Sequence, residues 1–158
     1  MLRAILLDIE GTTTPISFVH QVLFPYSKYQ LTKFLGQHAD STGLIYDLEQ
    51  LKAEHSIDER EGQNPAPLVE PYVCWLIDRD RKSPALKSLQ GKIWEQGYNE
   101  GLLQAPVFAD VRPAIERWTE EGKTVNIFSS GSVLAQKLLF AHTDHEANTR
   151  ERHKGPGE

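Results

Sequence analysis

LRAILLDIEGTTTP, residues 2–15, joins a short apolar run to two acids one residue apart, Asp8 and Glu10, and then to three consecutive threonines. Residues 4–8 read as a buried strand, because the run is continuous rather than alternating, as in a parallel sheet covered on both faces. An open parallel sheet binds ligands at the carboxyl ends of its strands, so two carboxylates at that end point to chemistry rather than to a plain turn. Pro15 closes the stretch.

From Ile16 to about Leu103 the pattern turns helical. Phe18, Val22 and Tyr26 are spaced by four, with Pro25 expected to break or kink their helix. Leu44, Leu48 and Leu51 follow behind an N-cap at Asp40 or Ser41. Residues 58–67, DEREGQNPAP, are polar, hold two prolines and read as a solvated loop. Leu68, Tyr72, Trp75, Leu76 and Arg79 suggest a third helix. Ser83-Pro84 opens a fourth, carried by Leu86, Leu89 and Ile93. Four short amphipathic helices fit a small bundle, and Trp75, Trp94, Trp118 and Tyr98, at helical spacings, read as core residues rather than a stacking platform.

After Pro106 an α/β rhythm returns. Residues 112–121 read as a helix ended by Gly122, residues 124–128 (TVNIF) as a second strand, and VLAQKLLF, 133–140, as a helix behind the turn SSGS, 129–132. The fold class is therefore α/β, with about two core strands readable and a helical insertion after the first. The final stretch, AHTDHEANTRERHKGPGE, has alanine as its only apolar type and reads as a disordered tail, so His142, Asp144 and His145 read as solvated groups rather than a metal site.

Bulk properties narrow the partners. The 158 residues carry a net charge of −5, with 39% hydrophobic and 25% charged residues. That balance offers no basic surface to nucleic acid and none to an anionic membrane. A single cysteine, Cys74, excludes an internal disulfide and suits a reducing compartment. With neither a signal peptide nor a membrane span in view, a cytoplasmic location is expected.

The SSGS turn complements the two acids. Ser129, Ser130 and Gly131 combine hydroxyls, backbone N–H groups and a helix N-terminus, which together favour an anion. Singly, an acid ending a strand can be a turn residue and SSGS can be an N-cap. If the two strands are neighbours, both motifs meet at their carboxyl ends, and phosphoryl transfer becomes the joint reading. Asp8 then suits a nucleophile toward phosphorus, Glu10 an acid/base, and Mg²⁺ the cation between anions. His20, close in sequence, reads as a helix-surface residue.

LLDIEGTTTPISFVHQVLFPY and VNIFSSGSVLAQKLLF, with LQGKIWEQGY and VFADVRPAIERW between them, resemble the enolase-phosphatases of methionine salvage in the haloacid dehalogenase superfamily. Glu10, where most of that superfamily has Asp, is this family's variant. The resemblance implies a Rossmann-like core (residues 1–15 and 104–141) carrying an inserted helical cap (16–103), with 142–158 as the tail. It implies enolisation and then dephosphorylation of 2,3-diketo-5-methylthiopentyl-1-phosphate. By position, Asp8 is nucleophile and Mg²⁺ ligand, Glu10 is acid/base and gives a metal-binding main-chain carbonyl, and Ser129 and Ser130 hold the phosphoryl group. Glu10 is also a candidate base for enolisation. A small phosphorylated diketone is the expected partner and a monomer the expected state.

The family pattern continues with a phosphate-binding lysine and a distal acidic metal ligand, and neither is readable here. Resemblance stops near Asp144. Lys154, in HKGPG, lacks a preceding strand, and Lys137 lies mid-helix. The alternative is therefore a non-catalytic or weakly active form, with Ile5, Leu7, Val125 and Ile127 expected to lie uncovered.

Overall fold

The computed structural model describes residues 2–143. Among them, β1 (Ala4–Leu7) and β2 (Thr124–Ile127) form a two-stranded parallel sheet, pairing Ile5 with Val125 and Leu7 with Ile127. Between the strands run α1 (Ile16–Phe18), a π-helical turn (Val19–Leu23), α2 (Phe24–Gln37), α3 (Thr42–Arg60), α4 (Glu70–Asp78), α5 (Pro84–Asn99) and α6 (Val111–Glu120). After β2 comes α7 (Val133–Ala141).

The helices bury two apolar clusters. Leu31, Leu44, Leu51, Leu76 and Leu89, from α2 to α5, are almost fully enclosed in the first. Each such burial contributes about 1.5–3 kcal/mol before chain entropy is subtracted. Ile9, Phe18, Val19, Leu23, Trp94, Tyr98, Leu138 and Leu139 belong to the second, which Ile127 of β2 joins. Helix α5 serves both: Leu86, Leu89 and Ile93 face the first cluster, while Trp94 and Tyr98 face the second. Ser83 caps it as its sequence predicts, accepting the Leu86 N–H at 2.9 Å. Gly97 lets it approach α2 closely, for a Cβ there would sit 2.6 Å from the Tyr26 hydroxyl.

Several expectations change. The strands are not covered on both faces: Ile5, Leu7, Val125 and Ile127 are half-buried, whereas Leu6 on the opposite face is 66% exposed. The reason is that the helical layer covers one side of the strand pair. Pro25 does not end the helical run, which is continuous from Ile16 to Gln37; the regular α-helix is instead interrupted by the π turn at Val19–Leu23, directly before the turn that holds Pro25. Helix α3 runs on to Arg60, so Asp58 is not a solvated loop residue. It is 2% exposed, accepting the Tyr72 hydroxyl at 2.8 Å and pairing with Arg81 at 2.7 Å. Helix α4 ends at Asp78, one residue before Arg79. His142 and Thr143 are tied to the body: the Ala105 N–H donates to the His142 carbonyl at 2.9 Å. Asp144, His145, Lys154 and the rest of the expected tail lie outside the described residues. No described helix is long and apolar enough to cross a membrane.

Candidate active site

The chain leaves β1 through a compact turn. The N–H groups of Thr12, Thr13 and Thr14 all donate to the Ile9 carbonyl, and Gly11 supplies the positive φ (80°) that the turn requires. The threonines have a structural task. Thr13 and Thr14 are about 1% exposed or less, the Thr13 hydroxyl donates to the Ile9 carbonyl and the Thr14 hydroxyl to that of Pro106. The Phe108 N–H donates to the Thr13 carbonyl, so the turn carrying Glu10 is stapled to the segment that leads into α6.

Because β1 and β2 are adjacent and parallel, both motifs sit at one edge. Glu10, Ser129, Ser130 and Gly131 line a single cavity of about 120 Å³, roughly ten times the space one water needs. Asp8 does not line it. Its exposed carboxylate accepts the N–H of Ile9 at 2.8 Å. The SSGS turn is preorganised: the Ser129 hydroxyl accepts the Gly131 N–H at 3.0 Å, and Ser132 caps α7 by accepting the Ala135 N–H at 3.2 Å. Ser129 keeps its own O–H to donate. Gln136 donates to the Gly131 carbonyl at 3.0 Å and holds the turn from inside α7.

The helices supply the opposite wall. His20, Leu23, Leu86, Trp94 and Leu139 are on it, and so are Arg81, Lys82 and Lys87. Arg81 is engaged by Asp58, and Lys82 by both oxygens of Asp80 at 2.9 Å. Lys87 reaches across and donates to the Ser130 carbonyl at 2.8 Å. Tyr98 is buried in the same cavity, and its hydroxyl has no partner among the described residues. Burial pushes the Tyr98 phenol well above its ordinary range. His20 thus lies on the cavity although its sequence position suggested only a helix surface. Sequence reading passed over Lys87 because nothing local distinguishes it from any other polar residue of an amphipathic helix.

Asp8 and Glu10 offer oxygen donors alone. Among the described residues no group of three or more histidine, cysteine or acidic side chains is gathered that could enclose a metal. Two carboxylate-bearing residues at an open site nonetheless fit Mg²⁺, which takes one or two carboxylates and fills its remaining positions with phosphate oxygens and water.

Fold and site define an α/β protein in which a helix-rich body closes over the carboxyl edge of a parallel strand pair. Over 149 residues the chain is 47% identical to the enolase-phosphatase E1 of Synechococcus elongatus, a match covering 90% of this chain and 62% of that one. The enolase-phosphatases E1 of Cronobacter sakazakii (46% over 150 residues) and Persephonella marina (41% over 145 residues) match similarly, over 91% and 92% of this chain and 61% and 62% of theirs. The chain is a homologue of the enolase-phosphatases, and it spans about three-fifths of the length of these curated relatives. Among solved structures it resembles the UTR4 protein (Unknown transcript 4 protein) of Saccharomyces cerevisiae. The TM-score is 0.69 at 37% identity, covering 93% of this chain and 59% of that one. No family model matches.

Proposed function

We propose that this chain carries the nucleophile-bearing part of a Mg²⁺-dependent enolase-phosphatase of methionine salvage, acting in the cytoplasm as a monomer on 2,3-diketo-5-methylthiopentyl-1-phosphate. The observation that best supports this is the meeting of Glu10 with Ser129, Ser130 and Gly131 on one cavity at the strand ends. The similarity to enolase-phosphatases supports it further. In this reading residues 16–103 are a cap on a Rossmann-like core made of residues 1–15 and 104–141.

Asp8 and Glu10 would hold Mg²⁺, through the Asp8 carboxylate and the Glu10 main-chain carbonyl. Bound there, the ion offsets phosphate charge and polarises the diketone, which acidifies the adjacent C–H. Glu10 is the candidate base for that enolisation. For dephosphorylation, Asp8 gives up its bond to the Ile9 N–H and a carboxylate oxygen attacks phosphorus. The P–O ester bond breaks as the leaving oxygen takes a proton from Glu10. Glu10 then removes a proton from water, which attacks the phosphoryl group on Asp8, releasing inorganic phosphate and restoring the carboxylate. Ser129 and Ser130 hold the phosphoryl oxygens by hydroxyl and amide donation, and Gly131 permits close approach.

Phosphate release with and without Mg²⁺, for wild type and Asp8→Asn, tests this. The variant should lose at least about 10³-fold in rate. Equal rates for the two proteins refute the nucleophile assignment. A second reading, a non-catalytic or weakly active form, is favoured by the two-stranded sheet with Leu6 66% and Phe128 70% exposed. It predicts ligand binding without turnover in both proteins.

A further inference from the structure

Arg81, Lys82 and Lys87 bring three cations to the cavity wall opposite the SSGS turn, in a chain whose net charge is −5. Two of them are already answered, Arg81 by Asp58 and Lys82 by Asp80. Lys87 differs. Its partner is a neutral oxygen, the Ser130 carbonyl at 2.8 Å, and no carboxylate pairs with it among the described residues. An ammonium has three donors and here spends one of them. Tyr98, 4% exposed, is also on the cavity lining, and its hydroxyl, itself enclosed by protein, has no hydrogen-bond partner among the described residues. An ammonium with no carboxylate partner, beside a serine- and glycine-rich turn on the same cavity, fits a ligand that brings oxygen atoms.

We propose that Lys87 is the cation that meets the anionic end of the ligand at the SSGS turn, binding phosphate from the helical side while Ser129 and Ser130 bind it from the strand side. The proposal rests on the phosphoryl-handling reading above and adds to it a charged residue that no sequence motif identifies. It also means that an anion bridges α5 to the turn before α7, so ligand binding should fasten the two walls of the cavity together. Lys87 stands on the first turn of α5, whose next turns are anchored in the first apolar cluster by Leu89 and Ile93. The ammonium is therefore presented by a fixed helix rather than by a loop, and its position is set before the anion arrives.

The test is titration with inorganic phosphate, by calorimetry or phosphorus NMR, at several ionic strengths. The proteins are wild type, Lys87→Met, Lys87→Gln, Lys87→Arg, Ser129→Ala and, as a control at an exposed position of α7, Lys137→Met. Thermal unfolding of each establishes that it is folded. Lys87→Met and Lys87→Gln should weaken phosphate binding roughly ten- to a hundredfold, the range for a lost charge-assisted hydrogen bond, and flatten its salt dependence. Lys87→Arg should stay within about threefold of wild type, and Lys137→Met should match it. If Ser129→Ala weakens binding and Lys87→Met does not, the turn is an anion site and the proposal is overturned. Equal weakening in Lys87→Met and Lys87→Arg with an unchanged salt dependence also overturns it, because Lys87 then only shapes the turn. If wild type binds no phosphate, the phosphoryl-handling reading of the turn fails, and the proposal with it.

Discussion

Gly97→Ala sets two well-measured effects against each other. In a helix interior alanine is favoured over glycine by about 0.8–1 kcal/mol, so on propensity alone the substitution stabilises α5. The structure opposes this: the new Cβ would lie 2.6, 2.7 and 2.8 Å from Oη, Cζ and Cε1 of Tyr26. Those atoms belong to a rigid ring that packs against both apolar clusters, so relief requires moving the ring or parting α2 from α5. Overpacking of this kind costs about 1–3 kcal/mol, and contact with the hydroxyl and two ring atoms places it in the upper part of that range. The net expectation is a loss of about 1–2 kcal/mol, or a fall in Tm of roughly 2–8 °C for a chain of this size. Urea and thermal unfolding of Gly97→Ala, Tyr26→Ala and the double variant measure it. The double variant should be more stable than additivity predicts by about 2–3 kcal/mol, the size of the clash, since removing the ring removes it. A Gly97→Ala protein as stable as wild type, or more so, refutes the close approach of α2 and α5.

Further outcomes follow from the buried polar groups. Asp58→Ala strands the fully buried Tyr72 hydroxyl and frees the partly exposed Arg81, so a loss of about 2–3 kcal/mol in urea unfolding is expected, nearly all from the hydroxyl; a loss below about 0.5 kcal/mol refutes the network. Burial raises the phenols of Tyr72 and Tyr98, the former also through its bond to Asp58, so the native state holds these protons more tightly than the unfolded chain. Their contribution is complete below the ordinary tyrosine value of 10.0 and is lost as pH rises above it; stability that is level from pH 9 to pH 11 contradicts this. Tyr98→Phe removes a hydroxyl with no partner, so it should be neutral or stabilising by up to about 1 kcal/mol in the same assay, whereas a marked loss reveals a missed partner. Burial, opposed in part by nearby Lys28, raises the Cys74 thiol above 9.0, so alkylation by iodoacetamide at pH 8 should run slower than for free cysteine; a matching rate refutes it.

The sequence disclosed the parts of this molecule that obey local rules. Both strands, the Ser83 cap and the SSGS turn could be read from short patterns, and the adjacency of the strands then brought Glu10 and the serines to one cavity. What escaped depends on contacts between distant segments. Asp58 sits in a polar run and is hidden only because Tyr72 and Arg81 close over it, 14 and 23 residues away. Lys87 reaches Ser130 across 43 residues, and no spacing rule relates the two. Leu6 looked like a core residue because a continuous apolar run cannot reveal that only one face will be covered. The buried threonines were legible as residues but not as fasteners, since their acceptors include the carbonyl of distant Pro106.

The π turn at Val19–Leu23 holds one residue more than an α-helical path over the same span would need. That residue sets the phase between the start of the helical run, which carries Phe18 and Val19 into the second cluster, and α2, which carries Leu31 and Phe34 into the first. Deleting it would let the run relax to a uniform helix but would turn one half by about 100° against the other. His20 would leave the cavity, and Phe18 would swing out of its cluster. The spare residue works as a clocking key between two apolar clusters, and a chain shortened there by one position would be helical throughout and wrongly assembled.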